Sequence, residues 1–534
     1  MSEQQQTLTL QQAIDLGVQH HKEGRLSQAE AIYNQILQSN PDQPIPLHLL
    51  GVIAHQVGKN DVAVDLITKA LTVRPDYAEA YNSLGNALQD LGKLDEAVAS
   101  YRKALANKLD YPEAHNNLGN ALKNLGKLEK ALVSYEKALV INPDFAEAHY
   151  NLGTVLQDHG KLDEALASYH KALAINPDLA EVHNNIGNAL VAQGLSHDAM
   201  ASYRKAIVVK SDFVEAHYNL GTVLQDHGKL DEALASYQKA LAINPYYTDA
   251  HNNLGNVLKS LGKLEEALKV FNSLDTADGY AAVLECLFAL GRYDEFYEMQ
   301  HTFMDKNRTN IRAAAISCFA SQQLSHLDPH PFCKKPLDFL RVYKCLDDGE
   351  NHDGLLMGLI DEIKGRSAIW EPPLGSTRGG FLTATRNLFD KPDGRIADLE
   401  QTIKDNIKKY YCEFSSRECV FIGSFPKTLS LTGWFVRLLK EGHQTEHIHP
   451  GGWLSGVFYL QVPNFSNQEE GSIELSLWGH NYPIINKNYP KKRYYPKNGD
   501  LILFPSSLFH RTIPFQSYEE RLCIAFDLIP NETF

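Results

Sequence analysis

Small and apolar positions return along the first half of the chain with a step of 34 residues. Glycine stands at 17, 51, 85, 119, 153, 187, 221 and 255, and a second glycine series runs 24, 58, 92, 126, 160, 194, 228 and 262. Alanine holds 29, 63, 97, 131, 165, 199, 233 and 267. An aromatic column follows at Tyr33, Tyr101, Tyr135, Tyr169, Tyr203, Tyr237 and Phe271, with Ile67 as its exception. Within one period, EAHNNLGNALKNLG (113–126) and KLEKALVSYEKALVIN (127–142) read as two antiparallel helices. One such pair cannot bury its own apolar face, whereas a stack of pairs builds a continuous core. The small residues predict close helix approach, and the aromatic column fills the space between neighbours. Pro41, Pro75, Pro143, Pro177 and Pro245 close several repeats. The string AHYNLGTVLQDHGKLDEALASY occurs at 148–169 and again at 216–237, as duplication of a repeat pair would leave it.

The period degrades after 278 into AAVLECLFALGRYDEFYEMQHTFMDKN and IRAAAISCFASQQL, read as a helical cap and connector over 279–329. Beyond 330 the pattern changes. GLLMGLIDEIKG (354–365) and IADLEQTIKDNIKKYY (396–411) remain helical, with WEPPLGSTRGG (370–380) read as a loop between them. Then come CVFIG, LSLTGWFVRLL, LSGVFYLQV, SIELSLW, DLILF and RLCIAFDLI, short runs bounded by Gly, Pro, Asn and Asp. They predict strands, and an all-β barrel or jelly roll with leading helices. The first half resembles the tetratricopeptide repeat (TPR). The expected fold is therefore multidomain: an all-α TPR solenoid at 10–278, the connector, and a β domain at 330–534.

Asn117, Asn151, Asn185, Asn219 and Asn253 stand two residues before the main glycines, and Asn86, Asn120, Asn188 and Asn256 directly after them. Residues three apart share a helix face, and asparagine is a middling helix former, so its recurrence has a reason. The column is similar to the asparagine ladder in the solenoid of O-linked N-acetylglucosamine transferase. That resemblance implies a protein or peptide partner held along its backbone. The alternative is repeat consensus copied by duplication.

Composition narrows the classes. A net charge of −14 over 534 residues argues against a nucleic-acid footprint. No run of apolar residues reaches membrane-spanning length, and MSEQQQTLTLQQ has no secretory pattern. The seven cysteines form no C-x-x-C pair and are odd in number, which fits a reducing, cytoplasmic setting.

The chemistry concentrates in EGHQTEHIHPGGW (441–453). His443-x-x-Glu446-His447 matches an inverted zinc-protease motif, which requires a helix. Gly442 before it, Pro450-Gly-Gly after it and strands on both sides oppose a helix. In an extended segment His447 and His449 point to one side. A third ligand must come from another strand, and His510 is the best candidate. Such a facial triad leaves the open positions that non-haem Fe(II) oxygenases need. Arg521, eleven residues on, opens a strand read as running back alongside, where its guanidinium could take a carboxylate bidentately. A structural pair with Asp500, Glu519 or Glu520 is the alternative.

HIHPGGWLSGVFYLQVP, GSIEL, PKNGDLILFPSSLFHRTIPF and ERLCIAFDLIP, in that order and with GSTRGGF upstream, resemble the 2-oxoglutarate and Fe(II)-dependent oxygenases with a double-stranded β-helix. The resemblance implies Fe(II) on His447, His449 and His510, 2-oxoglutarate as cosubstrate on Arg521, O2 as co-reactant, and a hydrogen bond to the cosubstrate from Tyr459 or Ser455. The chain departs from the wider pattern in having H-x-H where H-x-D or H-x-E is usual. His449 could instead stand behind the ligands, with Glu474, Asp500 or water completing the sphere. The expected activity is hydroxylation of a protein or peptide recruited by the solenoid. A small-molecule oxygenase with scaffolding repeats, or an inactive adaptor, are the alternatives.

Overall fold

The computed structural model describes residues 8–345, 352–364, 368–370, 376–383, 387–464, 467, 469–479 and 482–530. The chain divides into two compact units, 1–219 and 220–534.

In the first unit the 34-residue period becomes helix pairs, from Leu10–Lys22 with Leu26–Ser39 to Ala180–Ala192 with Ser196–Val209. The two glycine columns have different physical causes. A Cβ on Gly119 would meet Tyr135 Cε1 at 2.5 Å, and one on Gly153 would meet Tyr169 Cε1 at 2.6 Å. This column is the close approach expected of it. The other column is not: Gly126 and Gly160 have φ of +70° and +74°, with nothing within 4 Å of an added Cβ. There Gly126 N–H bonds Lys123 O at 2.8 Å and Lys127 N–H bonds Leu122 O at 2.9 Å. That is a left-handed helix ending, which glycine adopts at little cost.

The second unit begins with three further helices, Leu230–Ile243, Thr248–Ser260 and Leu264–Asn272. Ala277–Ala289 and Ile311–Leu324 follow, each capped by a side chain, Thr276 on Gly279 N–H and Asn310 on Ala313 N–H. These connector helices pack into the β domain. Ile311 and Ala314 join its main apolar cluster. Gln323 Oε1 accepts from Ile485 and Asn486 N–H at 2.7 Å each. Buried Glu285 binds Lys259, Arg312 and the Tyr482 hydroxyl.

The strands are β1 (Arg341–Lys344), β2 (Ala368–Trp370), β3 (Thr377–Thr383), β4 (Ser430–Gln444), β5 (Leu454–Gln461), β6 (Ile473–Ser476), β7 (Lys491–Tyr494), β8 (Asp500–Pro505), β9 (Phe509–Thr512) and β10 (Arg521–Ile529). They form a seven-stranded antiparallel sheet, β1-β8-β5-β10-β4-β3-β2, and a three-stranded sheet, β7-β6-β9. An isolated bridge joins His447 to His510. The domain is jelly-roll-like.

The two faces of β10 differ in kind. Leu522, Ile524, Phe526 and Leu528 pack with Leu356, Ile360, Leu399, Ile403 and Ile407 of the helices His352–Lys364 and Gly394–Phe414. The alternate residues Arg521, Cys523, Ala525 and Asp527 share the opposite face, as period-two alternation requires. Cys523 and Asp527 lie across from Tyr459 and Ser455 of β5.

Three local readings change. CVFIG is a short helix, Val420–Gly423, whose Phe421 packs against Phe332 and Trp453. Short apolar runs look alike as helix or strand until their contacts are known. The 370–380 stretch is no simple loop, because its second half enters β3; its residues 371–375 lie outside the described residues. Third, β10 does not run alongside the strand of His510. It lies between β5 and β4 in the larger sheet, while His510 sits on β9 in the smaller one.

Candidate metal centre

The segment after β4 is extended, not helical, which removes the zinc-protease geometry. Glu446 is turned to Arg511, at 2.6 Å. His447 is held to β9 by paired backbone bonds, His447 N–H to His510 O at 3.1 Å and His510 N–H to His447 O at 3.0 Å. His449 N–H reaches Ser506 O at 3.4 Å. These bonds stitch the H-x-H segment across the gap between the sheets.

The imidazoles of His447, His449 and His510 come together. One nitrogen of each lies within 4.8 Å of the others, and among the described residues this is the cluster spaced to hold a metal ion. Each Nδ1 faces an oxygen that accepts: Thr445 O at 2.7 Å for His447, an Asp527 carboxylate oxygen at 2.7 Å for His449, and Leu508 O at 3.3 Å for His510. A carbonyl or carboxylate partner puts the ring proton on Nδ1 and the lone pair on Nε2. Three neutral imidazole nitrogens gathered this closely are complementary to a cation. His510 is buried, and burial together with its two histidine neighbours holds its pKa well below the usual imidazole range. It stays neutral and able to ligate. Trp434 and Phe504 wall the rings at 5.2 and 4.8 Å. The Ser376 hydroxyl lies 3.4 Å from His447 Nε2, which brings the upstream GSTRGGF stretch to the site.

Asp527 was missed by the sequence reading. Its carboxylate takes His449 Nδ1–H and also the Ser455 hydroxyl at 2.7 Å, and Ser455 touches Ser506 at 2.8 Å. Gly452 is what permits this. A Cβ there would meet Asp527 Cγ at 2.8 Å. The signal was available: in RLCIAFDLI the acid falls in register with Arg521, on the face away from the apolar positions.

Arg521 is 1 % exposed. Its Nε–H donates to Gly471 O at 3.2 Å and its Nη2 to the Tyr459 hydroxyl at 3.2 Å. Of the carboxylates that could pair with it, Glu519 forms no ion pair to Arg521, and Glu520 and Asp500 are engaged elsewhere. Glu520 pairs with Arg437 and Lys364, and Asp500 accepts from the Tyr494 hydroxyl and Lys497 N–H. No ion pair to Arg521 forms among the described residues. Glu474, weighed as a ligand, is bound by Arg493 and Arg511. Tyr459 thus accompanies Arg521, while Ser455 belongs to the His449–Asp527 end of the same face.

In the solenoid the asparagines face one another. Asn117 Nδ2 donates to Asn82 at 3.1 Å, Asn151 to Asn116 at 3.0 Å, Asn219 to Asn184 at 3.0 Å, and Asn185 to the Tyr150 hydroxyl at 3.4 Å. Asn253, in the second unit, is half-buried. The column after the glycines takes the aromatic hydroxyls: Tyr101 on Asn86, Tyr135 on Asn120 and Tyr203 on Asn188.

The family model described as "Putative 2OG-Fe(II) oxygenase" matches residues 432–527. TPR models match 66–99, 85–126, 119–160, 158–194, 180–212, 225–262 and 248–280. Among solved structures, MamA is 26% identical, covers 30% of this chain and 95% of its own, and superposes at a TM-score of 0.29. YrrB, described as a TPR protein with an unusual peptide-binding site, is 25% identical over 34% of this chain and 95% of its own, at 0.30. The APC/C hetero-tetramer Cut9–Hcn1 is 18% identical over 47% and 49%, at 0.41. No curated protein matches the chain. The chain joins tetratricopeptide repeats to a domain that matches the 2OG-Fe(II) oxygenase family.

Proposed function

We propose that the C-terminal unit is a 2-oxoglutarate-dependent Fe(II) oxygenase that hydroxylates a protein or peptide brought to it by the repeats. The observation that carries the reading is the set of three imidazoles, each with an oxygen at its Nδ1, that bring one nitrogen apiece within 4.8 Å of one another. His447, His449 and His510 would hold the metal. Arg521 supports the cosubstrate: a buried guanidinium wants an anion, and a dicarboxylate supplies one, with the Tyr459 hydroxyl beside it. Bound together, Fe(II) and 2-oxoglutarate supply the activation of O2 for oxidation of a C–H bond. The chain's own residues do the rest. Asp527 fixes the tautomer and tilt of His449, and its charge stands in behind the imidazole for the carboxylate that H-x-H lacks. Trp434 and Phe504 pack against the rings of His449 and His510.

Recruitment rests on the half-buried asparagine column of the first unit. Its Nδ2 donors are used between repeats, so a peptide would meet the amide oxygens with its own N–H groups. The test is anaerobic loading with Fe(II) followed by 2-oxoglutarate and O2, scoring succinate and bound metal. Stoichiometric iron with succinate formation is expected. A folded protein that binds neither would leave an adaptor. Retained turnover with unchanged partner capture after Asn151→Ala, Asn185→Ala and Asn219→Ala together would return the column to a structural role.

A further inference from the structure

Cys333 and Cys419 are far apart in sequence, yet Cys419 packs against the apolar cluster that contains Cys333, and the neighbouring Cys333 thiol holds the Cys419 pKa down. The backbone holds the two segments side by side. Val420 N–H bonds Pro331 O at 3.2 Å and Phe421 N–H bonds Phe332 O at 3.0 Å, so the two cysteine-bearing segments run locked together. The two sulfurs differ in every respect that matters for reactivity. Cys333 is 4% exposed. Cys419 is partly exposed and lines a cavity of about 480 Å³ with Asp305, Lys306, Arg308, Thr309 and Ser424.

We propose that Cys419 is a thiol-oxidation site for small hydroperoxides, with Cys333 as its resolving partner in a reversible disulfide. The Cys419 sulfur attacks one peroxide oxygen, the O–O bond breaks, and hydroxide or alkoxide leaves. Sulfur is oxidised by two electrons to the sulfenic acid as the peroxide is reduced. The Cys333 sulfur then displaces the hydroxyl, which leaves as water with the Cys333 proton, and the S–S bond closes. A low-molecular-weight dithiol restores both thiols.

The electrostatics fit these roles. The Cys333 thiol, the N–H groups of Ile422 and Phe421, and Arg417 together hold the Cys419 pKa down to about 7 against its burial. A thiolate is the nucleophile in such chemistry, and low pKa with access selects the sensor. Burial instead pushes Cys318 and Cys333 well above the ordinary thiol range, and Cys286, Cys345 and Cys523 upward too. Lys306 and Arg308 outweigh Asp305 in the cavity lining, a net positive charge that favours a departing anion. The location gives oxidation a path to the metal centre. Phe332 and Phe421, beside the pair, both pack on Trp453, which directly follows Gly452 and bonds Leu528 O through its N–H at 2.7 Å.

The test uses the full chain with a chelator present, so that bound iron cannot drive oxidation. Limiting iodoacetamide at neutral pH followed by peptide mapping should label Cys419 before the exposed Cys412. Hydrogen peroxide should join the Cys333 and Cys419 peptides, and dithiothreitol should part them. Cys333→Ser should accumulate a dimedone-trapped sulfenic acid on Cys419 with no cross-link. Faster labelling of Cys412, over-oxidation of Cys419 in the unmutated chain without a cross-link, or a disulfide to another cysteine would each overturn the assignment. Cys333→Ser and Cys419→Ser each replace one sulfur by oxygen, and matching circular dichroism would verify their fold.

Discussion

Arg521 and Asp527 occupy one face of one strand, yet they have opposite requirements. Arg521 is a buried cation whose neighbours are a carbonyl and a phenol, so it gains most from a bound anion. Arg521→Met should keep the fold and the metal but weaken 2-oxoglutarate by about 30-fold to several-thousand-fold. Titration of the cosubstrate into the iron-loaded, oxygen-free protein, followed by its metal-to-ligand absorption band, measures this. Wild-type affinity would detach Arg521 from the cosubstrate. Asp527 is a buried anion already satisfied by His449 and Ser455. Asp527→Asn keeps the size and an acceptor oxygen but removes the charge. We expect metal affinity to fall roughly 10–100-fold, as for other partners of ligating histidines, with the apparent 2-oxoglutarate affinity at saturating iron nearly unchanged. Competition with a chelating dye separates the two. Equal metal affinity in Asp527→Asn and the unmutated chain would reduce the residue to a packing role.

At the scale of the element, the two glycine columns should respond differently to the same substitution. Gly153→Ala drives a methyl into the Tyr169 ring and should cost about 1–3 kcal/mol by overpacking. Gly160→Ala meets no atom but must hold φ of +74°, at about 1–2 kcal/mol. Asparagine tells them apart, because it tolerates the left-handed region. Gly160→Asn should recover most of the loss, whereas Gly153→Asn should be worse than Gly153→Ala. Urea midpoints of helical ellipticity give the comparison, and equal behaviour of the two asparagine variants would refute the distinction. Period alone could not separate these columns, since both are glycine every 34 residues. The difference lies in whether a neighbouring ring or the backbone angle sets the requirement.

For the whole molecule, the connector helices matter most. Helix Ile311–Leu324 places Ile311 and Ala314 in the same apolar cluster as Phe332, Phe421 and Trp453, and its Gln323 ties down the 485–486 backbone. A fragment 330–534 would bare that surface. We expect the fragment 220–534 to be monodisperse and to bind metal, and 330–534 to aggregate or melt at markedly lower temperature. Size-exclusion chromatography with thermal melting decides, and equal stability of the two would make the connector dispensable.

The sequence by itself determined the repeat architecture, because a 34-residue period of small and aromatic residues permits one way of burying its faces. It also placed five of the ten strands, β4, β5, β6, β8 and β10, and, through two-residue spacing and a family resemblance, marked the three histidines as candidate ligands. What only the tertiary structure decided was partnership at a distance. Nothing in the local pattern says that Asp527 stands behind His449, that Ser455 serves this end of the face while Tyr459 serves Arg521, or that Asp500 and Glu520 are engaged elsewhere. Nor does it say that Cys333 meets Cys419. Each of these depends on which strands become neighbours, and strand neighbours here come from distant parts of the chain. Periodicity reports which face of an element is buried; what lies across from that face is settled only when the sheets close.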